Sequence, residues 1–267
     1  MDAVEQLESF RGKRHQAVTS PQGSLALVNT QWVDQEQSVW SVPGLWGPAP
    51  DGLTLTATAA DGIVVNGETV DGRVTVYPRS SDTPSTLEFA DGRTGTIIGQ
   101  DGSFALRVWD PNSEEMQRFS HIDSFDYRPE WVCQATWREI PGGSLVGFDH
   151  LKDEGSTKDE VVPGDIIFDW EGETYTLSAF KAGKALQLVF ADQTNGDTTY
   201  SVGRFLFCAP NPDGTITLNF NYAILPPCAF SYHFNCPLPP AQNRFPFAIE
   251  AGEKNVMAGD GELLHAH

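Results

Sequence analysis

Hydrophobic residues recur at every second position through most of this chain. Leu53 and Leu55 alternate with Thr54 and Thr56, Val74 and Val76 flank Thr75, and Phe104, Leu106 and Val108 share a face, as do Trp131, Cys133, Ala135 and Trp137. A period of two puts one side of an extended segment into a core, so these runs predict β-strands. Asp-Gly pairs at 51–52, 61–62, 71–72, 91–92, 101–102 and 213–214, and Asn-Gly pairs at 66–67 and 195–196, punctuate the runs. Asn, Asp and Gly tolerate the positive φ of type I′ turns, so the pairs predict hairpins. Residues 63–70 read as a complete hairpin across Asn66-Gly67, and Glu171-Gly172 turns another between Ile166, Phe168 and Trp170 and Tyr175, Leu177 and Ala179. The pattern yields about fourteen strand-like segments, one helix and an all-β fold.

The helix is expected over residues 2–18. Val4, Leu7 and Phe10 are spaced for one face, and the charges run from Asp2, Glu5 and Glu8 to Arg11, Lys13 and Arg14. That order complements the helix dipole, and the segment is expected to lie as a lid on a sheet edge. Residues 149–164 are polar and of mixed charge, which suits a domain linker or a long surface loop. Residues 221–254 carry six prolines and two cysteines in an apolar setting. Proline fixes φ and lacks a donor, so this stretch is expected to be an ordered loop folded over something apolar. Residues 255–267 are expected to form a flexible tail. The domain layout is then an N-terminal helix at 1–20, a β-sandwich at 21–115, a C-terminal antiparallel β domain at 116–254 ending in the proline-rich loop, and the tail.

Composition narrows the function classes. The 267 residues hold 17 Lys and Arg against 36 Asp and Glu, a net charge of −19, with 40% hydrophobic residues. The apolar content is too high for disorder. The acidity, spread along the whole chain, argues against nucleic acid and anionic membrane surfaces as partners. No apolar run is long enough to span a bilayer, and the first eighteen residues lack the apolar centre of a secretory leader. Cys133, Cys208, Cys228 and Cys236 are therefore expected to be reduced thiols in a cytoplasmic protein.

The C-terminal half carries an ordered set of short motifs: Asp192, Thr194, Tyr200, Gly203-Arg204-Phe205-Leu206, Phe220-Asn221, Pro227-Cys228-Ala229-Phe230, Cys236-Pro237-Leu238-Pro239-Pro240, Asn243-Arg244 and Ala251-Gly252-Glu253. In these the chain resembles a bacterial family of unknown function, the domain-of-unknown-function family numbered sixteen eighty-four. Where the family pattern has Asp before Phe-Asn this chain has Asn219, and Tyr222 stands where Arg often follows. The resemblance implies a forkhead-associated-like sandwich for the N-terminal half. Such sandwiches bind phosphothreonine through an early Arg. Here no Lys or Arg lies between Arg14 and Arg73, so that activity is not expected.

The candidate pocket comprises Asp192, Tyr200, Arg204, Asn221, Cys228, Cys236, Asn243, Arg244 and Glu253, with no catalytic residue assigned. Arg204 lies in an apolar strand, where a buried Arg calls for a carboxylate such as Asp192 or Glu253, or else forks an anionic ligand. Arg204 and Arg244 together would mark an anion site. Asp192, Tyr200 and Glu253 are the acid–base candidates of the motif set. Cys228, His233 and Cys236 are spaced C-x4-H-x2-C, which suits zinc ligands, a reactive thiol or structural thiols. The spacing supplies no fourth ligand, and no metal or cofactor is assigned. Asp110, Asp123 and Asp126 near His121 are read as the turn between the two β halves. The expected function is binding or catalysis of a small anionic metabolite in a C-terminal pocket, or alternatively a non-catalytic structural or interaction module. The sequence leaves the oligomeric state open.

Overall fold

The computed structural model describes residues 2–152 and 157–265. It is all-β, with eighteen strands and two helices among the described residues. The chain forms two compact units, residues 16–118 and residues 1–15 with 119–267. The helix α1 spans Ala3–Val18.

Unit 16–118 holds two antiparallel sheets. Strands β1 (Leu27–Trp32), β2 (Gln37–Ser38), β3 (Leu45–Ala49), β4 (Gly52–Ala57), β5 (Val64–Val65), β6 (Glu68–Thr69), β7 (Gly72–Val76), β8 (Leu87–Glu88), β9 (Thr94–Gln100) and β10 (Ser103–Trp109) pair in the orders β1-β10-β9-β8-β5-β6 and β2-β3-β4-β7. Trp46, Leu53 and Leu55 of one sheet join Ile97, Leu106 and Val108 of the other in one core, so the alternating residues of both inner faces meet as in a sandwich. The hairpin at 63–70 forms as its sequence predicts. Val64 pairs with Thr69, and Asn66 and Gly67 turn it at φ 53° and 82°. A short helix, α2 (Glu114–Arg118), ends the unit.

The other unit is built on β11 (Phe119–Ser124), β12 (Val132–Asp149), β13 (Thr157–Trp170), β14 (Glu173–Ala182), β15 (Ala185–Phe190), β16 (Arg204–Cys208), β17 (Thr215–Asn219) and β18 (Glu253–Ala258). Six of these pair in the order β16-β15-β14-β13-β12-β17. A bridge from Pro210 to Ile216 brings the two ends of that sheet together, so it curls toward a barrel. Its inward-facing residues, among them Phe168, Leu177, Leu188, Phe190 and Leu218, form the core. Aromatic rings dominate there. Phe220 meets Phe190 edge-on at 5.4 Å and Phe245 at 6.0 Å, which suits the ring quadrupoles.

Two segments differ from their sequence expectation. Residues 149–164 are not a linker: β12 and β13 run as a long hairpin, pairing Leu145 with Val161 and Asp149 with Thr157. Backbone ladder bonds outweigh the low strand propensity of these polar residues. Residues 153–156 lie outside the described residues. The expected tail at 255–267 begins as the second half of β18, which pairs with β11, and Leu264 is buried behind it. The β11 edge and an apolar cover supply what a short polar tail lacks alone; residues 266–267 lie outside the described residues.

The proline-rich stretch is an ordered loop. It descends through short 3-10 turns at Phe220–Tyr222, Pro227–Ala229 and Ala241–Asn243, and it sends Phe220, Phe245 and Ile249 into the barrel core.

Candidate functional site

Most of the motif residues hold the loop to the barrel. Arg204 is fully buried at the start of β16, and its Nη2 donates to Asp192 Oδ2 at 2.7 Å and to the Ile249 carbonyl at 2.8 Å. Its Nη1 donates to the carbonyls of Ala251 and Glu253. Burial lowers the Arg204 pKa, and the Asp192 carboxylate opposes that shift. The partner is Asp192 of the two carboxylates expected. Asp192 Oδ1 also accepts from the Thr194 amide at 2.9 Å and the Ile249 amide at 3.2 Å, so the ion pair ties β15, β16 and the loop together. With Nη1 and Nη2 engaged, Nε buried without a partner and no surface exposed, Arg204 presents no fork to a ligand. Arg244 is exposed on the loop whereas Arg204 is buried, so the two do not present a shared surface of the kind that would mark an anion site.

The asparagines act likewise. Asn243 is wholly buried, donating to the carbonyls of Ser178 and Val189 at 2.8 Å each and accepting from the Ser178 amide at 2.9 Å. Asn221 exchanges both backbone bonds of Arg128 at 2.8 Å. Asn219, where the family pattern has Asp, accepts from the Asn221 amide at 3.2 Å and caps the 3-10 turn. An amide oxygen suffices for that role. Gly252 has φ 81°, and a Cβ there would lie 2.6 Å from the Ala223 carbonyl oxygen, so the residue before Glu253 must be glycine.

All four cysteines are buried and reduced. Cys228 and Cys236 adjoin Tyr200, whose pKa is raised by burial and by the Cys228 sulfur. Among the described residues no three His, Cys, Asp or Glu side chains cluster as metal ligands, so Cys228, His233 and Cys236 do not form such a set.

Glu253 leads elsewhere. Its carboxylate is nearly buried and takes the Arg14 guanidinium, with Nε at 3.0 Å from Oε1, and the Leu225 amide at 2.7 Å from Oε2. Arg14 also donates to the Leu225 carbonyl at 2.8 Å and stacks 5.1 Å over the Phe230 ring. This pair fixes α1 against the β11–β18 pair. The helix is held by its basic residues as much as by its apolar ones. Leu7 is buried and Phe10 meets Tyr222 edge-on at 4.9 Å, but Val4 is half exposed.

Between α1 and β11–β18 lies a cavity of about 250 Å³, lined by Arg11, Gly12, Arg14, His15, His121, Ile122, Ser124 and Glu253. Arg11, Arg14 and His15 fall at i, i+3 and i+4 and therefore share a helix face. On β11, register shifts at Phe119/His121 and Ile122/Ser124 break the strict alternation, and His121 and Ser124 both border the cavity. Glu253 and Arg14 form its floor, while Gly12, His15 and His121 are exposed at its rim. Arg11 is anchored by the Phe125 carbonyl and by Glu8, 3.0 Å from its Nη1. A Cβ on Gly12 would meet nothing within 4 Å, so the missing side chain leaves the rim clear. Arg11, Arg14, His15 and Ser124 are not among the sequence candidates, and His121, read there with Asp123 as part of a turn between the two β halves, lies in strand β11 instead. The sequence signal of the first three was the helical spacing of three basic side chains in a chain otherwise so acidic.

A second cavity, about 340 Å³, lies in unit 16–118 beside Arg79 and several Ser and Thr residues. Arg79 is engaged by the Gln22 side-chain oxygen and stacks 5.8 Å from the Trp109 ring, and Glu88 shares the wall. One committed cation beside a carboxylate is a weaker anion site than the cleft on α1.

Fold and site together define an all-β protein with a cation-lined cleft on its C-terminal unit. The family described as "Protein of unknown function (DUF1684)" matches residues 117–254, and the chain belongs to it. A solution NMR structure of the uncharacterized protein from gene locus rrnAC0354 of Haloarcula marismortui is 33% identical, covering 51% of this chain and 77% of that one, with a TM-score of 0.42. No curated protein matches.

Proposed function

We propose that the protein is a binding module for a small oxyanion, a phosphate- or carboxylate-bearing metabolite held in the cleft between α1 and β11–β18. One observation carries this reading. In a chain of net charge −19, two arginines and two histidines border one cavity against a single carboxylate, Glu253. Guanidinium groups match the two-oxygen geometry of carboxylate and phosphate, and partial burial strengthens their bonds. The volume lies just below the ~300–1,000 Å³ of ordinary ligand pockets, which favours a compact anion. Glu253 is committed to Arg14 and the Leu225 amide, so the cleft offers binding groups rather than a base ready to take a proton. The motif residues around Arg204 and Asn243 are the frame that presents Glu253 and β18 to the helix. We take unit 16–118 as a forkhead-associated-like scaffold without a phosphopeptide site.

The test is calorimetric titration with inorganic phosphate, pyrophosphate, malonate and citrate at matched ionic strength. At least one of these anions binds the parent protein, and Arg11→Gln together with His121→Ala weakens it roughly tenfold or more, the loss of one or two charge-assisted bonds. If no anion in the panel binds more tightly than chloride, or the double variant binds as well as the parent, the reading fails.

A further inference from the structure

A second feature, separate from the anion cleft, lies beneath the proline-rich loop. The Cys228 amide donates to the Cys236 sulfur at 3.3 Å. The Cys228 sulfur is hydrogen-bonded by the Cys236 thiol and by the Tyr200 hydroxyl, and the Lys152 ammonium adds a favourable charge. Both sulfurs sit on stiffened chain. Cys228 lies in the 3-10 turn Pro227–Ala229, closed by Ala229 N donating to Pro226 O at 3.0 Å. Cys236 precedes Pro237, and its carbonyl accepts from the Leu151 amide at 3.0 Å, just past the end of β12. The two thiols are therefore held next to each other before any reaction. Both cysteines are buried, Cys228 at 1% and Cys236 at 4% exposure. Tyr232 is half exposed and stacks on His265 at 4.3 Å, and it lies close enough to Tyr200 to act on it electrostatically.

We propose that Cys228 and Cys236 are a redox-active dithiol that peroxide converts to an intramolecular disulfide, with Cys228 the attacking sulfur and Cys236 the resolving one. The Cys228 thiolate attacks one oxygen of hydrogen peroxide. The O–O bond breaks, leaving a sulfenic acid on Cys228 and a hydroxide that takes up the displaced thiol proton as water. The Cys236 sulfur then attacks the sulfenic sulfur, the S–S bond forms, and the sulfenic hydroxyl leaves as a second water with the Cys236 proton. The sulfurs give up two electrons and the peroxide accepts them. Tyr200 acts as a positioning residue, its hydroxyl holding the Cys228 sulfur in its reactive form.

The other two cysteines supply an internal contrast. Burial pushes Cys133 up to about 11 and Cys208 up to about 12, so both remain thiols. Cys228 is shifted the opposite way, chiefly by the Cys236 hydrogen bond and also by Tyr200, despite its burial. Nucleophilic sulfur chemistry follows thiolate character, which separates Cys228 from the barrel thiols.

The experiment treats the native full-length protein with hydrogen peroxide, then denatures it, alkylates the remaining thiols and maps them by mass spectrometry. The parent is expected to lose two of its four thiols to a Cys228–Cys236 linkage that dithiothreitol reverses. Cys236→Ser should stop at a sulfenic acid on Cys228, captured by dimedone, and Tyr200→Phe should slow the loss of thiols by roughly tenfold. If the parent keeps all its thiols, oxidises first at Cys133 or Cys208, or forms the linkage between molecules, the proposal is overturned. The parent mapping decides the matter even if a variant fails to fold.

Discussion

Arg204 shows how a single residue is read correctly in one respect and incompletely in another. A lone cation in an apolar strand must find a carboxylate, because an isolated charge in a core costs several kcal/mol, and it found Asp192 at 2.7 Å. That much follows from residue types alone. The same reasoning could not tell whether donors would remain for a ligand, since the three carbonyls that occupy them lie 45 to 49 positions further along the chain. Arg204→Met should leave Asp192 buried without its cation and destabilise the protein by about 3–5 kcal/mol. Arg204→Lys should recover little of that loss, because one ammonium cannot span a carboxylate and several carbonyls at once. Urea denaturation of the two variants measures this; a change below about 1 kcal/mol would mean the ion pair is dispensable.

The strands were the most legible elements, because a one-residue slip would turn every apolar side chain to water, and alternation therefore records the buried face. The long β12–β13 hairpin was not legible, since its outer portion carries the composition of a surface loop and is held by backbone pairing that has no side-chain signature. The sequence locates helix α1, and the charge order along it suits the dipole, but the basic second half does more. Arg11 and Arg14 in fact bond to the Phe125 and Leu225 carbonyls and to Glu253. Gly12 fits this picture. A glycine inside a helix costs about 0.5–1 kcal/mol relative to alanine, and nothing crowds its position. Gly12→Ala should raise stability by that amount, whereas Gly12→Trp should place a ring at the rim and weaken the proposed anion binding. Thermal unfolding and calorimetry on the pair check both; a destabilised alanine variant would show that this helix turn is packed more closely than described.

At the scale of the whole molecule, charge decides behaviour that no single contact controls. A net charge of −19 repels itself across the protein, and salt shortens the reach of that repulsion from about 30 Å at 0.01 M to about 10 Å at 0.1 M. The melting temperature should therefore rise with sodium chloride, by about 2–4 °C for each kcal/mol relieved in a chain of this size. A flat or falling melting temperature in scanning fluorimetry would mean that attractive pairs such as Arg14–Glu253 and Lys254–Asp123 dominate instead. The same charge gives the cleft its meaning, because a few cations on one cavity wall matter more where cations are scarce. The sequence by itself determined the β-texture, the ordered proline-rich loop and the family membership, since periodicity, turn chemistry and motif order are all properties of neighbouring residues. Only the tertiary structure decided which charges are spent inside and which line an open cleft. Residues 11–15, 121–124 and 253 meet through helix docking and strand pairing across more than two hundred positions, and the hydrogen bonds that commit or spare a donor exist only once those segments touch.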